Sequence, residues 1–170
     1  HQFPVVYLLH GGGGDHTDWI RYSGVERYAA ELGLALVCPN VDHSAYCNMA
    51  HGPRYADFLH EEVWTFTHEN FRLSTRREDN FVAGLSMGGH GALKWGLSQP
   101  EKFAAIGALS AGNKIAEPPL TTQQVSQYGV EFRQRRRELV YGKQDLSDLL
   151  GDPEHDFFEM ARRILAQGKP

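Results

Sequence analysis

Short apolar runs recur along the chain, each of strand length and each halted by glycine, proline or a polar cluster. Phe3 to Leu9 is continuous and partly β-branched, and it stops at His10 and the glycines Gly11 to Gly14. Leu34 to Cys38 stops at Pro39-Asn40, Asn80 to Ala83 runs into Gly84-Leu85-Ser86-Met87-Gly88-Gly89, and Phe103 to Leu109 stops at Ser110-Ala111-Gly112. Apolar runs without alternation read as strands buried on both faces, the pattern of a parallel sheet.

Helical spacing fills the gaps. Val25, Tyr28, Ala29 and Leu32 share one face, with Ser23 or Gly24 to cap the helix and Gly33 to end it. Tyr55 to Asn70 reads as a second helix with Phe58, Leu59, Glu62, Val63 and Phe66 on its stripe. A third follows Ser86 and is broken at Gln99-Pro100. Between the second strand and the second helix, Val41 to Gly52 is a long polar and aromatic loop. This alternation predicts an α/β fold: a mostly parallel sheet, right-handed crossovers, helices on both faces.

From Asn113 the character changes. Pro118-Pro119 and a polar stretch precede helical pieces expected at Thr122 to Gln127, Phe132 to Val140, Leu146 to Leu150 and Glu154 to Gln167. The division is therefore a core over 1–112 and a helical, lid-like insertion over 113–170 within the same domain, where such folds place specificity elements. Arg133, Arg135, Arg136 and Arg137 read as the solvated face of one of these helices, with a functional anion site as the alternative.

Composition narrows the function. A chain of 170 residues with 41% hydrophobic and 22% charged content suits one globular domain. A net charge of −4 gives no footprint for nucleic acid or an acidic membrane surface. No run approaches a membrane span, and His1-Gln2-Phe3-Pro4 is not a signal peptide, so a cytoplasmic location is expected. Cys38 and Cys47 read as two free thiols in a reducing compartment. The nine histidines lack metal-ligand spacing, and neither a metal nor a cofactor is expected.

The candidate chemistry lies in two glycine motifs. Gly84-Leu85-Ser86-Met87-Gly88 matches the G-x-S-x-G nucleophile elbow, a serine on a sharp strand-to-helix turn. Two phosphate readings compete and fail. A dinucleotide fingerprint counted from Gly11 or Gly12 ends on His16 or Thr17, not glycine. The spacing Gly84 to Gly89 fits a P-loop, but His90-Gly91 stands where lysine and a magnesium-binding hydroxyl are required. Acyl transfer uses both motifs at once: Ser86 attacks, and the N–H groups of Met87 and Gly12 receive the oxyanion.

Tyr7-Leu8-Leu9-His10-Gly11, Asp18-Trp19, Val25-Glu26-Arg27, Ala50-His51-Gly52 and Ala83-Gly84-Leu85-Ser86-Met87-Gly88-Gly89 together resemble the esterase D family of α/β hydrolases, in particular tributyrin-esterase-like and S-formylglutathione-hydrolase-like carboxylesterases. The likeness is good over residues 3–115 and looser beyond. It implies an α/β-hydrolase fold and a serine carboxylesterase acting on short-chain acyl, acetyl or feruloyl esters through an acyl-serine. The alternative is an acyltransferase, or a non-catalytic relative that binds acyl groups or carbohydrate. Carried onto this chain, the resemblance gives Ser86 as nucleophile, Met87 and Gly12 as the oxyanion hole, and Trp19 either as an aromatic of the acyl pocket or as packing for the glycine loop. The implied partner is a small-molecule ester, and homo-oligomerisation stays open.

The same resemblance leads us to expect that the chain is truncated at both ends. In this fold the triad order is serine, acid, histidine. Downstream of Ser86, His90 is expected to point into helix packing, and His155 is the in-chain candidate for the base. The triad acid and histidine are otherwise expected beyond Pro170.

Overall fold

The computed structural model describes residues 2–112, 129–143 and 145–169. The strands β1 (Val5–Leu9), β2 (Ala35–Val37), β3 (Asn80–Leu85) and β4 (Ala105–Leu109) form one parallel sheet in the order β2-β1-β3-β4. All four coincide with the apolar runs: β1, β2 and β4 are shorter by two residues, and β3 continues two residues past Ala83 into the glycine motif. Helices supply the crossovers. α1 (Asp18–Tyr22) and α2 (Val25–Leu32) join β1 to β2, and α5 (Met87–Ser98) joins β3 to β4. Between β2 and β3 run α3 (Tyr55–Asp57), a π-helical stretch Phe58–Val63 and α4 (Trp64–Asn70).

The core lies where the sheet meets α5 and the π-α4 helix. Val5, Tyr7, Leu9, Leu59, Val82, Trp95 and Phe103 are all buried there. Tyr7 packs edge-on against Trp95 with centroids 4.9 Å apart, and Trp95 against Phe103 at 5.2 Å. The Tyr7 hydroxyl is satisfied by Thr67 Oγ1 at 2.9 Å, and burial pushes its pKa up to about 12, so it remains a phenol.

Three expectations change in detail. The second helix does not keep one 3.6-residue stripe. The π-helical stretch takes in an extra residue per turn and rotates the face, so Thr67 is buried while Phe66 and Glu62 are exposed. On α2 only Ala29 of the expected face is buried; Leu32 is 71% exposed. β4 pairs with β3 among the described residues, and it is less buried than the expected strand, with half of Leu109 open to solvent. Cys38 and Cys47 are both free.

After residue 112, α6 (Val130–Tyr141) and α7 (Phe157–Ala166) are the main elements. Asp156 caps α7, its side chain accepting from the N–H groups of Phe158 and Glu159, so this helix starts later than the expected Glu154. The piece expected over Leu146 to Leu150 is a single 3-10 turn, Ser147–Leu149. The helix expected over Thr122 to Gln127, together with Pro118-Pro119, lies outside the described residues. Among the described residues no helix is long and apolar enough to cross a membrane, and no group of three His, Cys, Asp or Glu is placed to hold a metal.

The strand order sets the site. From β1 the chain moves to β2 on one side, then returns past β1 to β3 on the other. The carboxyl ends of β1 and β3 therefore lie side by side at the topological switch point, where open α/β sheets bind ligands. In register, Leu9 faces Gly84. The two glycine motifs are brought together by topology.

Candidate active site

Ser86 is the N-cap of α5, with φ 56° and ψ −112°. A non-glycine residue at positive φ is strained, and such strain persists only where the surroundings enforce it. Here they do. The Ser86 N–H donates to the Leu109 carbonyl at 2.9 Å, tying the turn to the end of β4. On either side, a Cβ at Gly84 would overlap the backbone of Gly88, and one at Gly88 would overlap the Leu9 carbonyl. The turn can be this tight only because both positions lack a side chain. As a result Ser86 is exposed while Met87 through His90 are buried.

The glycine loop meets this turn directly. A Cβ built on Gly11 would lie 3.9 Å from Ser86 Cβ, and one on Gly12 would lie 3.8 Å from Met87 Cβ. Gly12 is exposed, and Gly13 takes φ 88° at the tip of the loop. Met87 N–H opens a helix of 12 residues, so a partial positive charge faces the space beside the serine hydroxyl. A hydroxyl nucleophile beside a helix N-terminus and a close-packed glycine backbone can attack a carbonyl and hold the oxyanion that forms.

Buried side chains behind the loop fix its path. His10 is 1% exposed; its Nδ1 donates to the Gly11 carbonyl at 2.9 Å and its Nε2 accepts from the Val41 N–H at 3.2 Å, which sets the tautomer. The Tyr46 hydroxyl donates to the His10 carbonyl at 2.8 Å. The Trp19 indole N–H donates to the Leu9 carbonyl at 3.0 Å. Every bond stops a strand-end backbone group from drifting. Neither His10 nor Tyr46 stood out in the sequence; the one signal there was a histidine closing a buried strand.

A family model described as a putative esterase matches residues 1–143. The chain belongs to the putative esterase family. Its fold is that of the α/β hydrolases. An S-formylglutathione hydrolase from Staphylococcus aureus, solved as the apoenzyme, is 39% identical, with a TM-score of 0.78 over 99% of this chain and 61% of that one. A substrate-bound fluorophosphonate-binding serine hydrolase of the same organism is 36% identical, with the same TM-score and coverage. An acetyl esterase of Caldicellulosiruptor saccharolyticus is 35% identical over 122 residues, which span 69% of this chain and 46% of that protein. The chain thus spans between 46% and 61% of the length of these relatives.

Two histidines follow Ser86 in the sequence, and both are turned to other work. His90 is 3% exposed and packs edge-on against Phe157 of α7, centroids 4.8 Å apart. His155, the in-chain candidate for the base, is not brought to Ser86. It packs against Tyr141, with Nδ1 3.4 Å from Asp152, and shares a cavity of about 480 Å³ with His60, Lys94 and Leu97. Lys94 is eight residues along α5 from Ser86, about 12 Å at helical rise. Burial and the Lys94 charge both push the His155 pKa down. Among the described residues Ser86 Oγ has no hydrogen-bond partner.

The arginine cluster also departs from expectation. Arg135 is exposed as predicted, but Arg136 is half-buried. Its Nη2 lies 3.2 Å from Met87 Sδ, and its Nε donates to the His43 carbonyl at 3.2 Å. Sequence spacing on a basic helix carried no sign of this, because the contact depends on where α6 docks.

Proposed function

We propose that this protein is a serine carboxylesterase acting on short-chain acyl esters, acetyl esters foremost. Ser86 Oγ attacks the ester carbonyl, the alcohol leaves, and water hydrolyses the acyl-serine. The N–H groups of Met87 and Gly12 hold the tetrahedral oxyanion. Trp19, oriented by its bond to the Leu9 carbonyl, walls the acyl pocket. Among the described residues neither His90, packed on Phe157, nor His155, packed on Tyr141, is placed to act as the base for Ser86. The observation that carries the reading is the exposed Ser86 at φ 56°, capping α5 with Gly11 and Gly12 packed against it. Kinship with an acetyl esterase supports the acyl preference.

Pre-steady-state hydrolysis of p-nitrophenyl acetate by the full-length protein tests it. A burst of nitrophenol, lost together with turnover in Ser86→Ala, supports the reading. Turnover surviving Ser86→Ala would place the nucleophile elsewhere.

A further inference from the structure

Arg136 is held in place beside the site. The N–H groups of Ala50 and His51 donate to the carbonyls of Val140 and Leu139, each at 3.0 Å, pinning the end of α6 to the loop after β2. From there the Arg136 guanidinium reaches Met87 Sδ and the His43 carbonyl. Met87 is the residue after Ser86, and its sulfur lies 4.0 Å from where a Cβ of Gly12 would stand. The cation therefore sits against the side chain of one oxyanion donor, which in turn touches the loop of the other.

Its bonding is incomplete. A guanidinium carries five N–H donors, and here a thioether and one carbonyl are its acceptors. Among the described residues no aspartate or glutamate pairs with it. Burial lowers its pKa, but an arginine stays charged across the working pH range. Withdrawing a charge from water without a counter-ion is unfavourable, and a sulfur acceptor returns little of that cost. An exposed arginine such as its neighbour Arg135 carries no such penalty. A half-buried, unpaired cation beside the reacting serine suits a ligand that brings its own anion, and the planar fork of N–H groups fits a carboxylate.

We propose that Arg136 is a specificity residue that pairs with a carboxylate on the substrate, so that the protein favours esters bearing a negative charge over neutral esters of the same size. This rests on Ser86 being the ester nucleophile. The acyl half or the alcohol half can carry the carboxylate, and the test separates the two.

The experiment compares kcat/KM of the full-length protein for two matched pairs: p-nitrophenyl hemisuccinate against p-nitrophenyl butyrate, and 4-acetoxybenzoate against its methyl ester. Intrinsic reactivity cancels when the anionic-to-neutral ratio is compared between proteins. In Arg136→Gln at least one ratio falls on the order of tenfold, mainly through KM. Arg136→Lys recovers part of it, and Arg135→Gln moves neither ratio. In the unmutated protein, high salt raises KM for the anionic member of the affected pair more than for the neutral one. Both ratios unchanged in Arg136→Gln, with no such salt effect, would overturn the assignment while leaving the esterase reading intact. Failure of Ser86 to react with a fluorophosphonate would instead remove the esterase reading and the proposal with it.

Discussion

The hydroxyl of Tyr46 donates to the carbonyl of His10 at 2.8 Å, and the face of the same ring fills the space that a side chain at Gly91 would need. One buried tyrosine thus ties the residue before the glycine loop to the helix that begins at Ser86. Burial pushes its pKa well above the usual phenol range, so it donates at every pH at which the protein is folded. Tyr46→Phe leaves the ring packing and orphans the His10 carbonyl. It is expected to cost about 1–3 kcal/mol of stability in urea denaturation. It should also lower kcat roughly tenfold by loosening the loop that carries Gly12. A stable variant with unchanged kcat would show that the loop is held by other contacts.

The glycines of the two motifs are not equivalent. A Cβ on Gly88 would strike the Leu9 carbonyl, a backbone group at the end of β1 that already accepts from the Trp19 indole. Gly88→Ala is expected to lose about 3 kcal/mol or to fail to fold. A Cβ on Gly12 meets Met87 only at ordinary contact distance, 3.8 Å. Gly12→Ala should therefore fold with a melting temperature close to that of the parent. Comparable losses in the two variants would contradict the packing described for the elbow.

Trp19 can be asked which part of its side chain matters. Trp19→Phe keeps an aromatic ring and removes the N–H that reaches the Leu9 carbonyl. The expected result is about 1 kcal/mol less stability, from the lost hydrogen bond, with KM for short acyl esters changed little. Trp19→Ala should raise KM as the pocket wall is lost. If Trp19→Ala left KM unchanged, the residue would be packing alone.

His60 gives the fold a defined acid lability. Its ring is stacked against Trp95, and burial, followed by the charges of Lys102 and Lys94, lowers its pKa to about 4. The unfolded chain protonates the same group near pH 6.5, so between those values the unfolded state binds more protons. Stability is then full above pH 6.5 and falls as pH drops toward 4, by at most about 1.4 kcal/mol per unit from this residue. Urea midpoints measured at pH 7 and pH 5 should differ less in His60→Gln than in the parent. An equal difference would mean that His60 titrates normally.

Much of this was legible in the sequence, and the parts that were not share a cause. The four strands announce themselves as apolar runs because a parallel sheet buries both faces. α2 was readable to the residue because Gly33, at φ 68°, ends it in the left-handed conformation that glycine favours. The elbow was readable because its geometry demands glycine at Gly84 and Gly88. By contrast, the π-helical stretch Phe58–Val63 left no local mark, so the buried face after Val63 could not be read from 3.6-residue spacing. The supporting roles of His10 and Tyr46, and the burial of Arg136, depend on contacts across 36 and 49 residues respectively. Periodicity sees neighbours four residues apart and is blind at that range.

Intact-protein and peptide mass spectrometry after treatment with a fluorophosphonate reads the central claim most directly. In the full-length protein a single phosphonyl adduct is expected on the peptide carrying Ser86, formed within minutes and abolished in Ser86→Ala. A folded full-length protein that takes up no adduct, or takes it up on another serine while Ser86 stays unmodified, would contradict the assignment of Ser86 as the nucleophile.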